Sequence, residues 1–183
     1  MGKFNFIKTD IEDLILVEPT VFGDSRGYFM ETYQKEEFKQ GGIDADFVQD
    51  NQSCSGKGVL RGMHFQKKNP QGKLVRVVSG AVYDVAVDLR KDSQTYGKWQ
   101  GFVLSAENKR QLYVPEGFAH GFLVLSDSAE FVYKCTRYYD GSDEGGLMYN
   151  DPDLNIDWHA HYDGEFVISD KDKKHPLFKD LKD

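Results

Sequence analysis

The strongest constraint on what this chain can fold into lies between Val75 and Thr136, a succession of short β-prone runs with almost no helical periodicity. Val75 to Ser79 and Ala81 to Leu89 flank Gly80, and Tyr83, Val85, Val87 and Leu89 alternate at period two. Trp99 to Ser105, Gln111 to Pro115, Phe118 to Leu125 and Glu130 to Thr136 continue the pattern. Short strands with turn residues at this spacing predict an all-β sandwich or barrel rather than alternating βαβ units. One short helix is expected over Thr32 to Gln40, stopped by Gly41-Gly42. Both faces of Phe118 to Leu125 are apolar, so this strand should be buried on both sides, while Phe131, Tyr133 and Cys135 share one face of their strand. A closed barrel with an aromatic-lined interior accommodates both. The interior is affordable in composition: 183 residues make one domain, and 14% are aromatic, including ten Tyr and thirteen Phe. No repeat or linker divides residues 1–183, and the charged stretch from Ser169 reads as solvated surface, with the tail beyond about 173 peripheral.

Charge and processing signals narrow the function. The net charge of −7 argues against a nucleic-acid or anionic-membrane surface, which wants a basic face, but leaves room for a small anion held by a few local cations. Cys54 and Cys135 form no CxxC pair and no disulfide framework, which fits two free thiols in a reduced compartment. Met1 to Asp10 lacks the features of a signal peptide, Phe6 breaks the myristoylation pattern, and no apolar run approaches the ~20 residues needed to span a bilayer. A cytoplasmic protein is expected, and the Asn51-Gln52-Ser53 sequon then carries no meaning.

Common motifs fail on inspection. Gly56-Lys57-Gly58 to Gly62 has the wrong spacing for a dinucleotide loop and no following helix, there is no Walker A sequence, and no nucleophile elbow surrounds Ser25. His159-Ala160-His161, beside Asp157 and Asp163, reads as an exposed polar loop, so no metal is predicted.

Four segments combine charge with apolar neighbours in a way a core does not need: Asp24-Ser25-Arg26-Gly27-Tyr28-Phe29-Met30-Glu31; Phe47 to Asn51 leading to Leu60-Arg61-Gly62-Met63-His64-Phe65-Gln66; Pro70 to Val77 with Lys73; and Pro115 to Phe122 with His120. Each has an ordinary explanation alone. Arg26 and Glu31 could form a surface pair worth ~0–1 kcal/mol, His64 could be a satisfied core histidine, and Lys73 could guard a sheet edge. Cations recurring inside apolar strands nevertheless point to one shared anion site.

These segments, in this order and spacing from about Phe6 to Asp172, resemble the dTDP-4-dehydrorhamnose 3,5-epimerase family. The resemblance implies a metal-free, cofactor-free cupin-type β-jelly roll with a few short helices, forming a homodimer with exchanged N-terminal strands. Pro115 to His120 also matches the second general cupin motif, whereas the first is broken by Gln66. Lys73 stands seven residues before Gly80, where a metal-binding cupin places a Glu, and an ammonium cannot ligate a metal.

The activity implied is inversion of C3 and C5 of dTDP-4-dehydro-6-deoxy-D-glucose, both α to the C4 ketone. His64 is then the base, Asp172 its orienting acid, Lys73 the stabiliser of the enolate oxygen together with His120, and Tyr133 the acid on the other face. Asp84 competes with Asp172 as the partner of His64. Arg26, Arg61 and Lys171 match positions around the diphosphate; Glu31, Gln49, Asn51 and Glu144 match positions contacting the nucleotide or the exchanged strand; Tyr139, with Tyr138 as its neighbouring alternative, matches the ring that stacks on thymine. Arg61 and His64 would lie on opposite faces of a regular strand, so a shared site requires a bulge or twist at Gly62. Three rivals remain open: an epimerase acting at only C5 or only C3, a non-catalytic cupin that binds a sugar nucleotide, and a metal-dependent cupin dioxygenase.

Overall fold

The computed structural model describes residues 2–181. In chain order the strands are β1 (Phe4–Lys8), β2 (Ile15–Pro19), β3 (Phe22–Asp24), β4 (Gly27–Phe29), β5 (Gln49–Gly56), β6 (Val59–Gln66), β7 (Lys73–Ser79) and β8 (Ala81–Asp88). They continue with β9 (Trp99–Ser105), β10 (Gln111–Val114), β11 (Phe118–Val124), β12 (Ser128–Cys135), β13 (Glu144–Gly146) and β14 (Val167–Ile168). The one α-helix among the described residues is α1 (Lys35–Gln40), and three short 3-10 turns follow from Trp158 onward. Two sheets carry the fold, in the orders β1-β2-β10-β7-β12-β5 and β13-β6-β11-β8-β9, with β14 alongside β6. They face one another as a β-jelly roll, as expected. No helix is long and apolar enough to cross a membrane among the described residues.

The interior is built from the inward side chains of both sheets. Val75, Leu112 and Phe131 of the first meet Val82, Ala86, Phe118 and Phe122 of the second in one buried cluster. The Phe122 and Phe131 rings stack across the gap at 4.2 Å. Each of the Val, Leu and Phe side chains contributes about 1.5–3 kcal/mol when fully removed from water. Every residue of β11 is buried, because Ala119 and Leu123 on its outer face pack into a second cluster with Leu147, Leu154 and Trp158. The two-sided apolar strand read from the sequence is therefore a central strand with both faces covered.

The second cluster corrects one expectation. The segment after Lys173 is not peripheral: Phe178 and Leu181 pack against the outer face of the second sheet, the Met148 N–H donates to the Pro176 carbonyl at 2.8 Å, and the Phe178 N–H donates to Asp151 Oδ2 at 2.7 Å. Exposed Lys and Asp residues punctuate this stretch and dominate its composition, while its few apolar residues dock.

On the first sheet's outer face, α1 buries Phe38 among Phe4, Phe6 and Tyr33, with ring centroids 4.9–5.2 Å apart. The helix starts at Lys35 rather than Thr32, because the Gln34 side chain caps it by accepting the Glu37 N–H at 2.6 Å. Gly41 ends it. The β3–β4 hairpin pairs with no other strand, and all six of its strand residues are exposed.

Register decides which side chains meet in the interior. In the first sheet Lys73, Cys135 and Gln49 form one cross-strand row, and Val75, Tyr133 and Asn51 the next. In the second, His64 stands opposite His120 and Arg61 opposite Phe122.

Candidate active site

The expected irregularity at Gly62 is present. Going from His64 to Arg61 takes three residues on β6 against two on β11, and the register shifts there. Leu60 and Met63 both point into the outer cluster, which turns Arg61 and His64 together toward the interior. Gly62 sits at φ +132° and passes so close to β11 that a Cβ on it would stand 2.6 Å from Gly121 Cα. Only glycine permits that approach.

His64 Nε2 lies 2.8 Å from Asp172 Oδ1. The other oxygen, Oδ2, accepts the Gly62 N–H at 3.2 Å, so the bulge and the carboxylate fix each other. The Asp172 N–H donates to Ser169 Oγ at 3.1 Å, seating the residue in its 3-10 turn. Burial pushes the Asp172 carboxyl up, but the His64 ring, the Gly62 amide and nearby His175 more than offset this and hold it at about 2. An ionised carboxylate accepts only, so in the neutral ring the proton belongs on Nε2 and the lone pair on Nδ1. Asp84 is engaged elsewhere: its two oxygens lie 2.9 and 3.0 Å from His120 Nε2.

His64, Lys73 and Tyr133 line one cavity of about 300 Å³, together with Gln49, Asn51, Tyr139 and Glu144. The Lys73 side chain makes no hydrogen bond or ion pair among the described residues. Burial lowers its pKa, against the pull of Cys135, Asp84 and Glu144. Burial raises that of Tyr133, with Cys135 adding to the rise and Arg61 opposing it. Arg61 reaches Ser55 Oγ through Nε at 3.0 Å.

At the cavity mouth Tyr139 Oη donates to Glu144 Oε2 at 2.8 Å, and Lys171 Nζ bonds the same oxygen. Burial pushes the Glu144 carboxyl up, and these two donors bring it below the usual range. Gln49 Oε1 accepts the Tyr139 N–H at 2.9 Å, and Gln49 Nε2 donates to Asn51 Oδ1 at 3.0 Å. Tyr138 is 73% exposed and does not line the cavity, whereas Tyr139 of the adjacent pair does.

Three expected residues are not brought in. Arg26 sits in the free hairpin, paired with Asp24 and 88% exposed, and Glu31 pairs with Lys3. His120 does not line the cavity: it is sealed behind the wall by Asp84 and lies against Phe131, with ring centroids 6.2 Å apart. Conversely, His175 Nε2 stands 3.3 Å from Asp172 Oδ1, and no sequence signal marked it within its charged run. His64, Asp172 and His175 bring donor atoms within 4.8 Å of one another; the hydrogen bonds among them account for that spacing. His159 and His161 are exposed, as read.

The sequence profile of the family described as dTDP-4-dehydrorhamnose 3,5-epimerase matches residues 8–180. A dTDP-4-dehydrorhamnose 3,5-epimerase of Methanothermobacter thermautotrophicus is 53% identical over 173 residues, 94% of each chain. The crystal structure of the enzyme of that name from Elizabethkingia anophelis superposes with a TM-score of 0.92 at 51% identity, covering 98% of each chain. A dTDP-6-deoxy-D-glucose-3,5-epimerase from Legionella pneumophila, in complex with dTDP-4-keto-L-rhamnose, superposes with a TM-score of 0.93 at 48% identity, covering 98% of this chain and 95% of that one.

Proposed function

Because the chain belongs to the dTDP-4-dehydrorhamnose 3,5-epimerase family, we propose that its residues divide the inversion of a 4-ketosugar between the two facing sheets. The protein is an isomerase that converts dTDP-4-dehydro-6-deoxy-D-glucose to dTDP-4-dehydro-L-rhamnose by epimerisation at C3 and C5. Both carbons flank the C4 ketone, so removing either α-proton gives an enolate whose charge rests on the C4 oxygen.

In this reading His64 Nδ1 takes the α-proton, and Asp172 stabilises the imidazolium that results. Lys73 holds the enolate oxygen with an ammonium that makes no side-chain ion pair among the described residues. Tyr133 Oη delivers a proton to the opposite face, becoming tyrosinate, and the pair is reset by exchange with solvent before the second carbon reacts. His120 is assigned to the supporting wall. The observation that carries the division is the shared cavity: His64 projects from β6 in one sheet, and Lys73 and Tyr133 from β7 and β12 in the other.

For the nucleotide, Tyr139 offers a stacking face for thymine, and Gln49, Asn51 and Glu144 offer polar contacts. Arg61 and Lys171 offer charge for the diphosphate. Arg26 and Glu31 complete the set from a second subunit of a homodimer, in which the β3–β4 arm exchanges. The reading is supported by the arm itself, since a lone two-stranded hairpin with Phe22, Tyr28 and Phe29 more than half exposed calls for a partner surface. A cytoplasmic setting fits the exposed free thiol of Cys54.

The test is incubation with dTDP-4-dehydro-6-deoxy-D-glucose in D₂O, followed by NMR at each carbon. Deuterium at both C3 and C5 is the expected result. Incorporation at one carbon alone selects a mono-epimerase, and tight binding without exchange selects a non-catalytic binding protein.

A further inference from the structure

His175 faces the same carboxylate oxygen as His64. Its Nε2 is 3.3 Å from Asp172 Oδ1, the oxygen that also takes His64 Nε2 at 2.8 Å, and the two imidazole rings meet edge to face at 5.7 Å. The His175 side chain is 10% exposed. Its seat depends on Gly146, where a Cβ would come within 2.0 Å of His175 Nδ1. Gly146 in turn pairs with His64 across β13 and β6. One histidine is therefore wedged between a strand that contacts the reactive strand and the acid that orients the reactive ring.

We propose that His175 is a positioning residue for epimerisation: it donates its Nε2–H to Asp172 Oδ1, fixing the carboxylate and moderating the basicity it confers on His64. The inference rests on His64 being the base. A carboxylate oxygen with two donors carries less free charge than one with a single donor, so it stabilises the neighbouring imidazolium less. Removing the second donor makes Asp172 a stronger partner and raises the pH at which His64 gives up its proton.

Other charges around His175 do not reproduce this effect. Lys171 comes from its own segment, while Glu144, Lys67, Lys174 and Asp180 line the pocket on its far side. None of these five makes a hydrogen bond to the Asp172 carboxylate. Burial keeps His175 itself below the usual histidine range, with Asp172 opposing that fall, and the neutral ring can donate through Nε2 to Asp172 Oδ1.

The test compares the pH dependence of kcat/KM for the full-length protein with that of His175→Leu, His175→Gln and Gly146→Ala. His175→Leu keeps bulk and loses the donor, and the acid limb should move up by about one pH unit. His175→Gln, whose amide can donate from a similar reach, should bring the limb back toward the wild type. Gly146→Ala keeps every titratable side chain in the protein but displaces the His175 ring, and should repeat the leucine shift. The His64 ring titration, followed by NMR in the absence of substrate, should move in parallel. Lower activity or stability with the acid limb and the His64 titration unmoved in both the leucine and alanine variants would overturn the proposal and leave His175 as packing. Failure of the underlying reading looks different: a His64→Ala enzyme that still exchanges deuterium would remove His64 as base, whatever His175 does.

Discussion

His64 and His120 stand directly opposite one another on β6 and β11, and each is bound through Nε2 to its own aspartate, Asp172 and Asp84. Chemically the pairs are alike, but their surroundings differ. The His64 side chain is 33% exposed and lines the cavity, whereas His120 is 7% exposed behind its wall. Only the first pair offers its remaining ring nitrogen to a ligand. His64→Ala should reduce epimerisation by roughly 10²–10⁴-fold, the usual share of a general base, with His120→Ala costing chiefly stability. Steady-state rates beside thermal melts separate the two, and equal rate losses without a change in melting would refute the assignment.

Tyr133 and Lys73 should part company in alkali. Burial lowers the lysine pKa and raises that of the tyrosine. As pH rises, Lys73 therefore loses its charge at a lower pH than an ordinary lysine, while Tyr133 keeps its proton beyond the ordinary phenol range. The alkaline loss of kcat is expected to follow the lysine. Lys73→Arg, which stays charged throughout, should abolish that limb in whatever activity remains. Tyr133→Phe should exchange C5 deuterium without inverting the carbon, and the alkaline limb of that exchange should persist.

Asp172 should also be visible in acid unfolding. Its folded pKa of about 2 lies below the unfolded value near 3.8, so the stability it supplies is full above the unfolded value and disappears as pH falls through the folded one. The difference amounts to about 2 kcal/mol. Denaturant melts of wild type and Asp172→Asn between pH 5 and pH 2 should therefore converge as the pH drops. A gap that stays constant across this window would contradict the linkage.

Gly62 and Gly27 make a controlled comparison. Both have φ +132°, but a Cβ at Gly27 meets nothing within 4 Å, while one at Gly62 strikes the backbone of β11. Gly27→Ala should cost about 1–2 kcal/mol from backbone strain alone. Gly62→Ala should cost about 2–4 kcal/mol and misalign the Asp172 carboxylate, since overpacking adds to the strain. Urea midpoints for the two variants test the order.

The proposed exchange of the β3–β4 arm between subunits predicts complementation. If Arg26 serves the partner subunit's cavity, mixing inactive His64→Ala and Arg26→Ala proteins under subunit exchange yields hybrids in which one cavity bears both lesions and the other bears neither. Activity should reappear. Mixtures that stay inactive although sedimentation shows hybrid dimers would place Arg26 in its own subunit's site.

Much of this arrangement was legible in the sequence, and the remainder fails for physical reasons. Period-two alternation placed Tyr133 and Cys135 on one face, and the need to unite Arg61 with His64 predicted the Gly62 bulge before any coordinates. The choice between Asp84 and Asp172 was not legible, because it depends on the strand order β6-β11-β8 within one sheet and on where the 3-10 turn carrying Asp172 docks, rather than on local pattern. His175 was hidden for a different reason: lysines on either side outvote it in composition, while burial of a few residues decides where that segment docks. The helix began late because a glutamine served as its cap, a role its propensity does not announce.

The placement of His64 and Tyr133 on facing sheets has a dimensional consequence. Packed sheets stand roughly 10 Å apart, and that gap is set by the whole interior rather than by any residue at the site. The span from the His64 ring to the Tyr133 hydroxyl is thereby a calliper, held at its setting by the stacked rings of Phe122 and Phe131 in the same gap. A substitution such as Phe131→Leu, in contact with neither sugar nor phosphate, would reset the opening. It would be felt as a change in which ring conformers of the ketosugar can be gripped on both faces at once.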